Sequence, residues 1–224
     1  MTLRAAILDI DGTLIDTNDG HAHAWVDALR EFGREVAFGE VRPLIGMGGD
    51  KVMPRLTGGL DEASDEGKRI KARRGEIFQE RYLPSCRPFP QARELLERMR
   101  GGGLTLVVAT SASKDDMKAL LEKIGVADLI EARTSASDAE ESKPDPDIIH
   151  AALDSAGVSA AEAVMLGDTP YDVEAAGRAG VPTIALRCGG WWKDDDFRDA
   201  AEIYDDPAEL LARYEGSLLG TAGG

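Results

Sequence analysis

This sequence contains few cysteines, no excess of basic over acidic residues and no long apolar run. The two cysteines, Cys86 and Cys188, are far apart and in no metal-binding spacing, so we expect reduced thiols of the cytoplasmic kind. No charged leader precedes an apolar run at the start, and no segment approaches the roughly 18 apolar residues that span a bilayer. We therefore expect a cytoplasmic protein with no membrane partner.

The net charge of the chain limits the classes of partner that it could bind. A formal net charge of −15 and a pI of about 4.6 argue against nucleic acid or an acidic membrane, since both need a basic surface. A local basic pocket for a small anion remains compatible with this charge. The 224 residues, with 43% hydrophobic and 30% charged side chains, indicate one or two soluble globular domains without internal repeats.

Two carboxylates follow the first apolar run of the chain. Residues 5–8 predict a buried strand, and Asp9 and Asp11 come directly after it, with Gly12 allowing a sharp turn. Side chains alternate along a strand, so both acids would point to one side while the strand lasts. Buried acids need neutralisation, and a hard divalent cation, Mg²⁺ by preference, is the natural partner. The alternative is a strand that ends in solvated turn acids.

The rest of the chain alternates short apolar strands with helices, which is typical of a parallel sheet. The predicted strands are residues 104–109, 129–132, 163–166 and 183–186. The predicted helices are residues 18–32, 66–82, 92–100, 113–124, 147–156, 172–179 and one beginning at Asp206-Pro207.

The stretch from residue 16 to 83 contains no convincing strand, and prolines punctuate the stretch after it. We predict an α/β fold, a doubly wound parallel-sheet (Rossmann-like) core with an inserted all-helical cap domain. The core takes residues 1–15 and 88–224, and the cap with its hinge linkers takes residues 16–87. Binding sites of such sheets lie beyond the carboxyl ends of the strands, where Asp9 and Asp11 fall, beneath the cap.

Three further segments place reactive side chains near strand or loop ends. Ser111 follows a strand and precedes a helix, which suits a phosphoryl oxygen, or it belongs to an ordinary helix cap. Lys143 lies in a proline-stiffened loop, where it could neutralise a carboxylate and a phosphate, or be one surface lysine among many. Asp168 and Asp172 follow another apolar strand, as cation ligands or as caps of the next helix.

Together these segments resemble the four motifs of the haloacid dehalogenase superfamily, in order and spacing. Asp9-Ile10-Asp11-Gly12-Thr13 resembles the first motif, Ser111 stands at the second, and Lys143 in Ser-Lys-Pro-Asp-Pro resembles the third. The segment from Gly167 to Asp172 resembles the fourth motif, GDxxxD. More narrowly, the chain is similar to the phosphoglycolate phosphatase and β-phosphoglucomutase-like branch.

The resemblance implies a mechanism. Asp9 would be the nucleophile that forms an aspartyl-phosphate, and Asp11 the general acid and base. The implied Mg²⁺ ligands are the Asp9 carboxylate, the Asp11 backbone carbonyl and Asp168, with Asp172 in a supporting or water-mediated place. The implied groups for the transferring oxygens are Ser111, Lys143 and backbone N–H groups near Ile10, Asp11 and Ala112. Because Asp11 is an acid, a phosphate ester is favoured over a halide or phosphonate.

We expect the cap to determine substrate specificity, because the core motifs recognise only phosphate. The candidate residues are His21, which stands where β-phosphoglucomutases carry a histidine, and Arg42, Gly46 and Lys51 in a glycine-rich loop. We interpret the basic cluster Lys68, Arg69, Lys71, Arg73 and Arg74 as a solvated helix face.

The sequence thus predicts a Mg²⁺-dependent phosphatase acting on a small phosphorylated metabolite of the sugar phosphate or phosphoglycolate type, as a monomer or homodimer. Two alternatives stay open. One is a β-phosphoglucomutase-like phosphosugar mutase, and the other is a non-catalytic protein that binds a phosphorylated metabolite, since fold does not imply function.

Overall fold

A computed structural model describes residues 2–135 and 140–223. The strands of this part form one six-stranded parallel sheet in the order β3-β2-β1-β4-β5-β6. The strands are β1 (Ala5–Leu8), β2 (Thr105–Ala109), β3 (Ala132–Thr134), β4 (Ala163–Gly167), β5 (Thr183–Leu186) and β6 (Glu202–Tyr204). The prediction of a doubly wound parallel sheet is confirmed.

The central strands are apolar because both of their faces are covered. All four residues of β1 are buried, with Ala6 and Leu8 in one hydrophobic cluster and Ala5 and Ile7 in another. Side chains alternate along a strand, so the two clusters lie on opposite faces of the sheet. The helices of the core therefore form a layer on each side.

Helices fill the connections between the strands. The α-helices are α1 (Asn18–Glu31), α2 (Phe38–Val41), α3 (Gly49–Thr57), α4 (Asp65–Ile77), α5 (Ala92–Gly101), α6 (Lys114–Ile124), α7 (Asp147–Ala156), α8 (Pro170–Arg178) and α9 (Pro207–Ala212). A π-helical turn at Phe78–Tyr82 and a 3₁₀ turn at Leu83–Ser85 follow α4. None of the helices in the described ranges is long and apolar enough to cross a membrane.

The segment between β1 and α5 is all-helical apart from isolated bridges, as the inserted cap predicts. Helices α1 to α4 and the loops between them share a separate hydrophobic cluster that includes Trp25, Leu29, Met53 and Ile70. The two chain crossings run side by side, because Asp16 N donates to Arg87 O at 3.0 Å. The division at residues 15/16 and 87/88 stays a prediction.

Several boundaries differ from the sequence-based ones. The strand predicted at residues 129–132 lies at Ala132–Thr134, because Leu129 and Ile130 pack into the core ahead of it. The helix predicted at residues 66–82 ends as an α-helix at Ile77 and continues as the π-helical turn. Strand β6 was not predicted, since an edge strand of three residues carries no apolar run.

Candidate active site

The carboxyl ends of three neighbouring strands meet at one edge of the sheet. Leu8 of β1 is in register with Val108 of β2 and with Leu166 of β4. The residues that follow these strands therefore come together, and Asp9 and Asp168 both lie there, buried. Strand β1 ends at Leu8, so strand alternation does not extend to Asp9 and Asp11, and their carboxylates have different partners.

Lys143 lies between two of the acids. Its Nζ donates to Asp9 Oδ1 at 2.6 Å and to Asp172 Oδ1 at 2.7 Å, and its side chain is only 1% exposed. Burial alone would lower the pKa of Lys143, but the carboxylates of Asp172 and Asp9 outweigh it and hold the pKa above its usual value. Lys143 is therefore a buried ammonium at the site and not a surface lysine.

Asp172 lies in the first turn of α8 and is held by the capping residue of that helix, Thr169. Its Oδ2 accepts hydrogen bonds from Thr169 N at 3.1 Å and Thr169 Oγ1 at 2.7 Å, in a reciprocal capping box at the start of α8. Because both of its oxygens have donors, Asp172 chiefly orients Lys143. The predicted supporting or water-mediated place of Asp172 at a cation stays a prediction.

Asp9, Asp168 and Asp172 form a group in which one carboxylate oxygen of each residue lies within 4.8 Å of the other two. Burial, with the neighbouring carboxylates, raises the pKa of Asp9 to about 7 despite Lys143, and raises the pKa of Asp168 well above its usual value. When all three acids are ionised, as cation binding requires, the three carboxylates and one ammonium carry two net negative charges in a buried place. A hard divalent cation matches this oxygen donor set and this charge, so the residues fit the predicted Mg²⁺.

Asp168 is also fixed by neutral donors. Thr13 Oγ1 donates to Asp168 Oδ1 at 3.0 Å and lies 3.3 Å from Asp9 Oδ2, and Asn18 Nδ2 donates to Asp168 Oδ2 at 2.7 Å. The Oδ1 of Asn18 is buried without a hydrogen-bond partner among the described residues. Sequence reasoning missed Asn18, although its place directly after the hinge could have pointed to it.

Asp11 turns towards the cap. Its Oδ1 accepts from Thr17 Oγ1 at 2.6 Å and lies 2.8 Å from His21 Nε2. Burial alone would raise the pKa of Asp11, but His21 and the hydrogen bonds from His21 and Thr17 lower it below its usual value. The structure thus presents Asp11 as a carboxylate, which is the form that a general base needs.

Arg74 of α4 fixes the proton on His21. Its Nη2 lies 2.8 Å from His21 Nδ1, and arginine only donates, so Nδ1 accepts and Nε2 carries the hydrogen that faces Asp11. His21 also stacks on Phe78 with a centroid distance of 3.7 Å. Sequence reasoning missed the Arg74 contact, because 53 residues separate it from His21.

A cavity of about 580 Å³ opens above these acids, between core and cap. Asp9, Asp11, Ser111 and Ala112 line it from the core. Ser111 Oγ lies 3.5 Å from Gly46 O, and Ala112 N donates to Thr110 Oγ1 at 3.1 Å. The neighbouring hydroxyl, that of Ser113, caps α6 by accepting a hydrogen bond from Asp116 N. The cavity thus brings the predicted phosphate-binding loop beside Asp9.

The predicted specificity residues divide into two pairs, of which His21 and Gly46 line the cavity. The structure places Arg42 elsewhere, because its guanidinium is buried, donates to Asp19 at 2.6 Å and contacts the Gly189 carbonyl. Lys51 is turned outward to Glu141 and Asp145. Neither cation is brought to the cavity lining, because each is held by other partners.

The basic cluster of α4 is solvated in part, since Lys68, Arg69 and Lys71 are exposed, but it occupies two faces of the helix and not one. Lys68, Lys71 and Arg74 line the cavity, with Lys71 paired to Glu62, which also lines it. Arg69 and Arg73 point to other partners on α1 and its end, Phe32 and Glu31. The cap therefore contributes cations to the cavity wall.

Comparisons with known proteins identify relatives over most of the chain. The model of the haloacid dehalogenase-like hydrolase family matches residues 6–186. A phosphoglycolate phosphatase from Rhodospirillum rubrum is 32% identical over 214 residues, covering 92% of this chain and 89% of the relative.

Two solved structures are similar over nearly the whole chain. A hydrolase from Pseudomonas syringae superposes with a TM-score of 0.87 at 28% identity, covering 96% of this chain and 98% of that one. A candidate β-phosphoglucomutase from Bacteroides vulgatus superposes with a TM-score of 0.85 at 26% identity, covering 99% of this chain and 90% of that one. The chain belongs to the haloacid dehalogenase-like hydrolase family.

Proposed function

We propose that the protein is a Mg²⁺-dependent phosphatase that hydrolyses a small phosphorylated metabolite through an aspartyl-phosphate. The observation that carries the proposal is the buried Asp9–Lys143–Asp172 group, with Asp168 in the same group of acids, from which Asp9 lines a cavity beneath the cap. The phosphoglycolate phosphatase among the relatives supports the reaction class. A binding protein has little need of two acids, Asp9 and Asp11, in the same loop.

Asp9 is the nucleophile of this proposal. Its carboxylate oxygen attacks phosphorus, the phosphorus–oxygen bond to the substrate breaks, and an aspartyl-phosphate forms. The ammonium of Lys143, 2.6 Å from Asp9 Oδ1, reduces the repulsion between the carboxylate and the incoming phosphate. Ser111 and the backbone around Ala112 bind the transferring oxygens at the cavity wall.

A divalent cation would be held by Asp9, Asp168 and the backbone carbonyl of Asp11, with Asp172 in support. It would screen the charge of the phosphoryl oxygens and of the attacking carboxylate. Lys143 supplies the one fixed positive charge at this place among the described residues, and Thr13 and Asn18 orient Asp168 without changing its charge.

Asp11 is the general acid and base of this proposal. In the first half-reaction it donates a proton to the leaving oxygen of the substrate. In the second half it removes a proton from water, which attacks phosphorus and releases Asp9 and inorganic phosphate. The hydrogen bonds from Thr17 and His21 favour the ionised form, so the structure as it stands is suited to the second half.

The cap covers this chemistry. We assign residues 16–87 to it, with the antiparallel, hydrogen-bonded crossings near residues 16 and 87 as the hinge, and we expect it to open for exchange and to close against water. Gly46 and His21 are the two predicted specificity residues of the cap that line the cavity, and we expect them to contact the substrate. A mutase remains the second candidate, because His21 contacts Asp11 directly and a candidate β-phosphoglucomutase is similar in structure.

The test is Mg²⁺-dependent phosphate release from a panel of 2-phosphoglycolate, hexose phosphates and pyridoxal phosphate. The Asp9→Asn variant, which keeps the shape of the nucleophile, is the control. We expect release by the wild type and none by Asp9→Asn. In a rapid acid quench, the wild type alone should retain phosphate in a hydroxylamine-labile acyl linkage.

Two other outcomes identify the alternatives. Conversion of β-glucose 1-phosphate to glucose 6-phosphate, faster than phosphate release, would make the protein a mutase. Binding of these compounds without turnover or a trapped acyl-phosphate would contradict catalysis and favour the binding protein.

A further inference from the structure

Asn18 is a buried amide whose side chain is not needed for the helix that it begins. It is the only asparagine of the sequence and the first residue of α1, and its exposure is 1%. No side chain caps the start of α1, so helix capping does not account for Asn18. A buried polar side chain requires partners, and those of Asn18 lie in the core, not in the cap.

The principal partner of Asn18 is Asp168, 150 residues along the chain. Asn18 Nδ2 donates to Asp168 Oδ2 at 2.7 Å and lies 3.4 Å from the carbonyl of Gly189. A β-carbon added at Gly12 would overlap both Asn18 Nδ2 and the Asp168 carboxylate, and one added at Gly189 would overlap the same carboxylate. The absence of a side chain at Gly12 and at Gly189 therefore makes room for the contact between Asn18 and Asp168.

The two oxygens of Asp168 are thus held separately. Thr13 donates to Oδ1 at 3.0 Å while Asn18 donates to Oδ2, so rotation of the carboxylate breaks at least one hydrogen bond. Both donors are neutral, so they orient the carboxylate without placing a positive charge beside it that would repel a cation.

We propose that Asn18 is a positioning residue that holds the Asp168 carboxylate for a divalent cation. The inference rests on the proposed function for the cation itself, and it adds a residue outside the four motifs. Groups that orient metal ligands typically change metal affinity by about 10–100-fold when they are removed. The same loss is expected for the amide of Asn18.

The test is calorimetric titration of Mg²⁺ into the metal-free full chain, for the wild type and Asn18→Leu. Leucine has nearly the shape of asparagine and no donor. We expect the variant to bind Mg²⁺ about 10–100-fold more weakly. In turnover, the Mg²⁺ concentration for half-maximal rate should rise by a similar factor, while the KM for the phosphorylated substrate at saturating Mg²⁺ stays within twofold.

Ser64→Ala is the matched control. Ser64 caps α4 of the cap through Gly67 N at 3.1 Å, so the variant loses stability without touching the acids, and its Mg²⁺ affinity should equal that of the wild type. Circular dichroism checks folding, and Asn18→Ala replaces Asn18→Leu if the larger side chain prevents folding.

The outcomes separate the two proposals. Mg²⁺ affinity within twofold of the wild type in a folded Asn18 variant overturns this inference and leaves the phosphatase in place. A rise in substrate KM without a change in Mg²⁺ affinity also overturns it, because Asn18 would then act through the fold of the cap. A wild type that binds no Mg²⁺ overturns both this inference and the assignment of the cation.

Discussion

Replacement of Lys143 by methionine tests the charge balance of the site most directly. The side chain is 1% exposed and its ammonium contacts Asp9 and Asp172, so Lys143→Met keeps the volume and leaves two buried acids without their cation. Removing one partner of a buried ion pair costs about 3–5 kcal/mol. A chain of this size loses about 2–4 °C in Tm per kcal/mol, so we expect a decrease of about 6–20 °C in metal-free buffer.

The loss should depend on pH. In the wild type, Lys143 lowers the pKa of Asp9 against the effect of burial, and the pKa is still raised to about 7. Without the ammonium, the pKa of Asp9 rises further above the value of the unfolded chain. A carboxyl whose pKa is raised on folding destabilises the folded protein as the pH rises from its unfolded pKa to its folded pKa. The part of the deficit that comes from Asp9 should therefore be small near pH 5 and grow above about pH 7, so the decrease in Tm should be larger at pH 8 than at pH 5.

Thermal unfolding followed by circular dichroism in EDTA, at pH 5 and pH 8, measures both effects. Lys118→Met is the control, since Lys118 is 72% exposed and 4.0 Å from Glu122, and we expect it to change stability by less than about 0.5 kcal/mol. Lys143→Met combined with Asp172→Asn should regain part of the loss. A Tm within about 2 °C of the wild type at pH 8 would refute the assignment of Lys143 as the counter-ion.

Three further variants test other parts of the site. Mg²⁺ at one hundred times its Kd should stabilise the wild type by about 2.7 kcal/mol but leave the Tm of Asp168→Asn unchanged, and an equal rise in both would contradict the cation site. His21→Ala removes a hydrogen bond that lowers the pKa of Asp11, so the acidic limb of the pH–rate profile should move to higher pH; an unmoved limb would exclude this influence. Gly46→Ala places a β-carbon 2.7 Å from Thr169 Cγ2 at a φ of +110°, so KM should rise several-fold, whereas Gly39→Ala, with nothing within 4 Å, should match the wild type.

The acids of the site were predictable because they stand next to apolar strands. A short apolar run followed by Asp9, or by Asp168, specifies both the strand and the place where it ends. Parallel pairing in register then places these ends at one edge of the sheet, whatever the details of the loops. Lys143 was harder, since nothing in the sequence excludes a surface lysine, and only its burial between two carboxylates settles where it lies.

The contacts across the hinge could not be predicted in the same way. Asn18 reaches Asp168 over 150 residues, and this contact depends on how the cap docks on the core. Arg74 and His21 are 53 residues apart within the predicted cap, and their contact depends on how α4 packs against α1. Arg42 is a case in which the sequence predicted a contact that the structure does not show. A cation in a glycine-rich cap loop suggested a substrate contact, yet Asp19 and the carbonyl of Gly189 take up its guanidinium.

The basic helix α4 shows where sequence reasoning could have gone further and where it stops. At about 100° per residue, Lys68, Lys71 and Arg74 fall on one side of the helix and Arg69 and Arg73 on the other. The helical period therefore separates the five cations into two faces without a structure. Which face meets the cavity depends on the packing of α4 against α1, where Arg73 pairs with Glu31. The net charge of −15 thus describes the whole chain, while the cap turns three of its cations towards the site.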